Sequence, residues 1–102
     1  MFFDPQCKPV ILSPVARVLL DAAADVERGG WCQGAYEAGD ATCPIEAILR
    51  VAPDCFTRTA ANDRLGCFIG GGRYTAITIW NDVIGRTKEE VVAAMRGAAR
   101  LG

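Results

Sequence analysis

The chain has 102 residues, 51% hydrophobic and 23% charged, with a net charge of −1, five cysteines and no histidine. That length fits one domain, 1–102, and a chain of this size buries about 60% of its unfolded surface, so a core forms without metal or disulfide support. Without histidine there is no Ser–His–Asp triad, Cys–His dyad, HExxH zinc helix or imidazole pH switch.

Residues 1–12 carry Pro5 and Pro9 among Phe2, Phe3, Val10, Ile11 and Leu12, which predicts an extended arm docked on a helical core, 13–102. Ser13-Pro14 reads as a helix start, a hydroxyl N-cap followed by proline at N1. Val15, Val18, Leu19, Ala22, Ala23 and Val26 then form one stripe, and Gly29-Gly30 supplies a stop. Residues 31–42 have two glycines, two aromatics and no period, and read as a loop.

A second helix opens at Thr42-Cys43-Pro44 with Ile45, Ile48, Leu49 and Ala52 as its inner face, and Pro53 ends it. Thr57 or Thr59 is the expected cap of a third helix through Ala60, Ala61, Leu65 and Phe68, closed by Gly70-Gly71-Gly72. The segment RYTAITIW at 73–80 is β-branched enough for a strand, yet Tyr74, Ile77 and Trp80 share a helical face. No second strand stands ready to pair with it, so a helix is expected. Residues 81–86 form a turn in which Asp82 is placed to pair with Arg86. Thr87-Lys88-Glu89-Glu90 is a capping box ahead of the apolar face Val91, Val92, Met95, Ala98 and Ala99. The expected fold is mostly α, a compact bundle of four to five short helices with an extended N-terminal arm.

The five thiols, at 7, 32, 43, 55 and 67, include no CxxC pair, so zinc-ligand spacing is lacking and no metal site is expected. Residues 1–14 lack the pattern of a secretory signal and no run of 18 apolar residues occurs. A cytoplasmic protein with reduced thiols, away from membranes, is the expectation. Gly70-Gly71-Gly72-Arg73 lacks the context of a phosphate loop, so no cofactor is expected. Arg50, Arg58, Arg64 and Arg73 are interrupted by Asp54 and Asp63, which with the near-neutral charge argues against nucleic acid.

Cys43 is the one thiol with a position that tunes its chemistry. With Thr42 as N-cap it sits in the first helical turn, where N–H groups and the dipole lower a thiol pKa. The plain account of Cys43 is a buried or half-buried structural thiol at a helix start, and other candidates have plain accounts too: Trp31 as a cover over helix ends, Asn81 and Asp82 as turn formers.

Two blocks, WCQG with GDATCPIEAI and then WNDVIGRTKEEVVAAMRGAA, resemble a family of small bacterial and phage proteins, domain of unknown function 6197. The matching positions are Gly30, Trp31, Gln33 and Gly34, then Cys43, Ala47 and Ile48, then Trp80, Asn81, Asp82, Arg86, Thr87, Glu90 and Val91. Glu46 stands where a glycine is usual. The resemblance runs over 14–100, implies a small α-rich fold and brings no activity.

Each block falls at an element boundary, where polar and aromatic residues converge on pockets. Trp31, Gln33, Cys43, Trp80, Asn81 and Asp82 are therefore expected around a shared ligand site or a shared buried polar network. The function expected is a non-catalytic binding or regulatory module, recognising a small ligand or a protein partner, with self-association through the last helix compatible. The alternative is a thiol-dependent enzyme using Cys43 with a carboxylate partner.

Overall fold

The computed structural model describes residues 13–70 and 74–101, with the side chains of residues 74 and 75 left aside. The expected arm at 1–12, the stretch 71–73 and the orientation of Tyr74 lie outside the described residues. Five α-helices and one two-stranded ladder follow in the order α1 (Pro14–Gly29), β1 (Glu37–Ala38), β2 (Ala41–Thr42), α2 (Pro44–Val51), α3 (Cys55–Phe68), α4 (Tyr74–Asn81) and α5 (Lys88–Arg100). The mostly helical architecture read from the sequence is the one observed.

Helix α1 is the hub and packs against α5, α2 and α3. Its ends are set by the signals in the sequence. Ser13 Oγ accepts from Ala16 N–H at 3.1 Å, Pro14 occupies the first turn, and Gly30 caps the other end at φ 102°, conformation that only glycine adopts freely. Ala16, Val18, Leu19, Ala22, Ala23 and Val26 are buried and form the middle of the core.

The expected loop at 31–42 contains regular pairing that periodicity missed. Glu37 pairs with Thr42 and Ala38 with Ala41, antiparallel, across the two-residue turn Gly39-Asp40 with Gly39 at φ 63°. On its other side Thr42 forms a parallel bridge with Trp31. Gly-Asp is hairpin turn chemistry, but the residues flanking it carry no β-branched run to announce strands.

Helix α2 starts one residue later than expected: Cys43, at φ −81° and ψ 167°, is itself the N-cap, and its side chain makes no capping bond. Pro44, Ala47 and Ile48 are buried, whereas Leu49, expected on that face, is largely exposed. Helix α3 starts two residues before Thr57. Asp54 Oδ1 accepts from Thr57 N–H at 2.7 Å, so Asp54 is the cap and neither expected threonine is. Its inner face narrows to Ala61, Leu65 and Gly66, with Ala60 and Phe68 on the outside.

The ambiguous segment is helix α4, with Ile77 fully buried. The turn that follows is closed by Arg86 N–H to Val83 C=O at 3.0 Å and by Gly85 at φ 91°. Thr87 and Glu90 complete the capping box in both directions, at 3.2 and 2.9 Å, and α5 buries Val91, Val92, Ala94, Met95, Gly97, Ala98 and Ala99. Among the described residues no helix is long and apolar enough to cross a membrane.

Candidate functional site

The C-terminal end of α4 is the centre of the site. The last carbonyls of a helix have no partner within it and need donors from elsewhere. Here they come from one distant segment and from the turn just after the helix. Gln33 Nε2 donates to the carbonyls of Asn81 and Val83 at 2.8 and 2.9 Å, and Arg86 Nε donates to that of Trp80 at 3.0 Å. Gln33 thus finishes a helix nearly fifty residues away.

The Asn81 side chain is 1% exposed and saturated on both sides. Its Oδ1 accepts from Trp31 Nε1–H at 2.6 Å. Its amide donates to Cys32 C=O and to Asp82 Oδ1, both at 3.1 Å. Asp82 Oδ1 also accepts from Gly34 N–H at 3.0 Å. Four of the six expected residues, Trp31, Gln33, Asn81 and Asp82, therefore form one hydrogen-bonded network. It clamps the 31–34 segment to the end of α4.

Beside this network lies a cleft of about 300 Å³, a size at the lower end of small-molecule sites. Its apolar part is Pro44, Ile45 and Ile77, its rim Thr78 and Asp82, and its outer wall Gly34, Ala35 and Tyr36, with Cys43 and Asn81 between. Cys43, Asn81 and Asp82 were expected there. The others were not, although Ile77 and Thr78 lie one helical turn before Asn81, on the side of α4 that faces it.

Three expectations fail. Trp80 takes no part in the cleft or the network: its ring packs on the core edge under the Arg86 guanidinium, 4.1 Å from the ring centre. This cation–π pair and a 3.4 Å contact with Glu90 occupy Arg86, so the expected Asp82–Arg86 pairing is absent.

The third failure concerns Cys43. A lowered pKa was expected from the helix start. The thiol is instead pushed up: burial outweighs the lowering by the N–H groups of Glu46 and Ile45, and the charges of Glu46 and Asp82 add smaller upward pushes. Cys32 is pushed up as well, by burial and then by Cys43, Asp82 and Glu37. Neither thiol is poised as a thiolate. Among the described residues no cluster of three or more cysteine or acidic side chains is placed to hold a metal ion.

The chain belongs to the family of unknown function 6197, which it matches over residues 11–101. No curated relative and no solved structure matches it.

Proposed function

We propose that the protein is a non-catalytic binding module whose cleft takes a small ligand with an apolar body and a cationic or hydrogen-bond-donating end. One observation carries this reading: a cleft of about 300 Å³ whose polar rim is fixed in place by the Trp31–Gln33–Asn81–Asp82 network. Preorganised walls lower the ordering cost of binding. Ile45 and Ile77 supply the apolar floor. Tyr36, half exposed, supplies an aromatic side wall. Asp82 supplies the anchor: among the described residues no lysine or arginine pairs with its carboxylate.

A thiol-dependent enzyme using Cys43 is the weaker reading. Turnover on a catalytic cysteine needs a thiolate held ready at rest, and burial pushes this one the other way.

Titrating the isotope-labelled chain with arylalkylamines and their neutral amide analogues tests the proposal by nuclear magnetic resonance. The expected result is movement of the Trp31 indole N–H and of the Gln33 and Asn81 side-chain amides on amine addition. Asp82→Asn then weakens the amines and leaves the neutral analogues unchanged. If neither series perturbs these signals at saturating concentration, the cleft is not a small-ligand site.

A further inference from the structure

We propose that Cys32 and Cys43 form a redox-active dithiol that closes to a disulfide when the protein meets a small-molecule disulfide oxidant. Register carries the inference. Thr42 N–H donates to Gly30 C=O at 3.2 Å, and Cys32 N–H donates to Thr42 C=O at 3.3 Å. Those two bonds set Trp31 opposite Thr42 in a parallel bridge. The next step along both chains puts Cys32 beside Cys43. Side chains alternate faces along extended backbone, so these two thiols share the face opposite Trp31 and Thr42. Neighbouring strands run roughly 4.8 Å apart, inside the window of roughly 4.4–6.8 Å between Cα atoms that a disulfide spans.

Neither sulfur is already in a disulfide. Cys43 makes no capping bond, and Cys32 has a single weak contact, Sγ to Ala35 C=O at 3.4 Å. The two sulfurs also feel each other electrostatically, since Cys43 is among the charges that act on Cys32. Cys32 is the more exposed and Cys43 is 5% exposed, which divides their roles. The Cys32 thiolate, its proton lost to water, attacks one sulfur of the oxidant and expels a thiolate, leaving a mixed disulfide. Cys43 then loses its proton and attacks the Cys32 sulfur. The Cys32–Cys43 bond forms and the second small thiol leaves. Two protein thiols are oxidised and one small disulfide is reduced to two thiols. Closure pulls the Cys43 sulfur towards Cys32 and so reshapes one wall of the cleft, whatever that cleft binds.

The test uses the full chain with Cys7, Cys55 and Cys67 changed to serine, incubated with oxidised glutathione and then alkylated. Trypsin releases Gly29–Arg50, which holds both thiols because no lysine or arginine lies between Arg28 and Arg50. The expected peptide carries no alkyl group, is lighter by two hydrogens, and accepts two alkyl groups after reduction. Adding Cys43→Ser stalls the reaction with glutathione held on Cys32. The dithiol is refuted if glutathione accumulates on Cys32 while Cys43 is still present, or if both thiols remain alkylatable throughout. Should Cys43→Ser fail to fold, Cys32→Ser is the companion: no disulfide or mixed disulfide then forms within the Gly29–Arg50 peptide, and glutathione captured at Cys43 instead refutes the assigned roles.

Discussion

Asn81 joins more of the molecule than any other polar side chain described here. Its oxygen receives the Trp31 indole, and its amide reaches Cys32 C=O and Asp82, while the residue is almost wholly buried. Buried donors and acceptors that lose their partners cost far more than the net worth of a hydrogen bond. Asn81→Ala orphans the Trp31 N–H and the Cys32 carbonyl together, so it is expected to cost about 2–4 kcal/mol, read as a lowered urea midpoint at unchanged m. Trp31→Phe keeps an aromatic body and removes only the donor, and its expected cost is about half that. The two changes share one contact, so the double variant should lose less than the sum of the singles. Strict additivity in that cycle would show that the 2.6 Å contact carries no coupling.

At the scale of elements, helix ends explain both what the sequence made legible and what it hid. Ser13-Pro14, Gly30 and the Thr87–Glu90 box are local signals, complete within a few residues, and each was readable in advance. The Gly39-Asp40 hairpin and the C-terminal cap of α4 were not readable, because Thr42 finds Trp31, and Asn81 C=O finds Gln33, only after the chain folds. The site was visible in outline for the same reason. Boundary residues converge, but which face Trp80 turns to is decided by Arg86 and the core, not by its neighbours in sequence. Caps also set the response to acid. The Thr57 backbone N–H holds the Asp54 carboxyl below its ordinary pKa, and the Thr87 backbone N–H does the same for Glu90. A carboxyl whose pKa is depressed by folding contributes stability above its unfolded pKa, and loses it as pH falls through the folded value. Thermal stability should therefore decline from the carboxylate range downward. Asp54→Asn still accepts the Thr57 N–H but does not titrate, so its decline should be shallower at equal neutral stability. An unchanged acid slope would remove Asp54 as a source. Thr87→Ala, which breaks the α5 box, is expected to cost about 1 kcal/mol at neutral pH.

Across the whole molecule, two kinds of restraint hold separate parts, and they should fail separately. The α1-centred core is apolar throughout, with Leu19, Ile48, Leu65, Ile77 and Met95 fully buried. Leu19→Ala removes side-chain volume at its centre, and about 3 kcal/mol of global stability should go with it, lowering protection of all five helices together. The 31–36 segment is attached differently. Of its residues only Trp31 packs against the core; residues 33–36 are exposed, and the segment is held to α4 through Gln33, Gly34 and Trp31. Gln33→Ala removes two of those attachments, at Asn81 C=O and Val83 C=O, and because Gln33 is itself exposed its truncation lets water take the place of its amide. Its effect on the global unfolding transition should be small, within about 1 kcal/mol. Its effect on local opening should be larger. The Gly34 N–H, bonded to Asp82, is expected to exchange several-fold faster, while the Leu19 and Met95 amides exchange at their original rates. Uniform acceleration at Gly34, Leu19 and Met95 would instead mean that Gln33 supports the fold as a whole. Selective acceleration would separate the clamp over the cleft from the core beneath it, leaving a wall that can open for a ligand while the bundle stays folded.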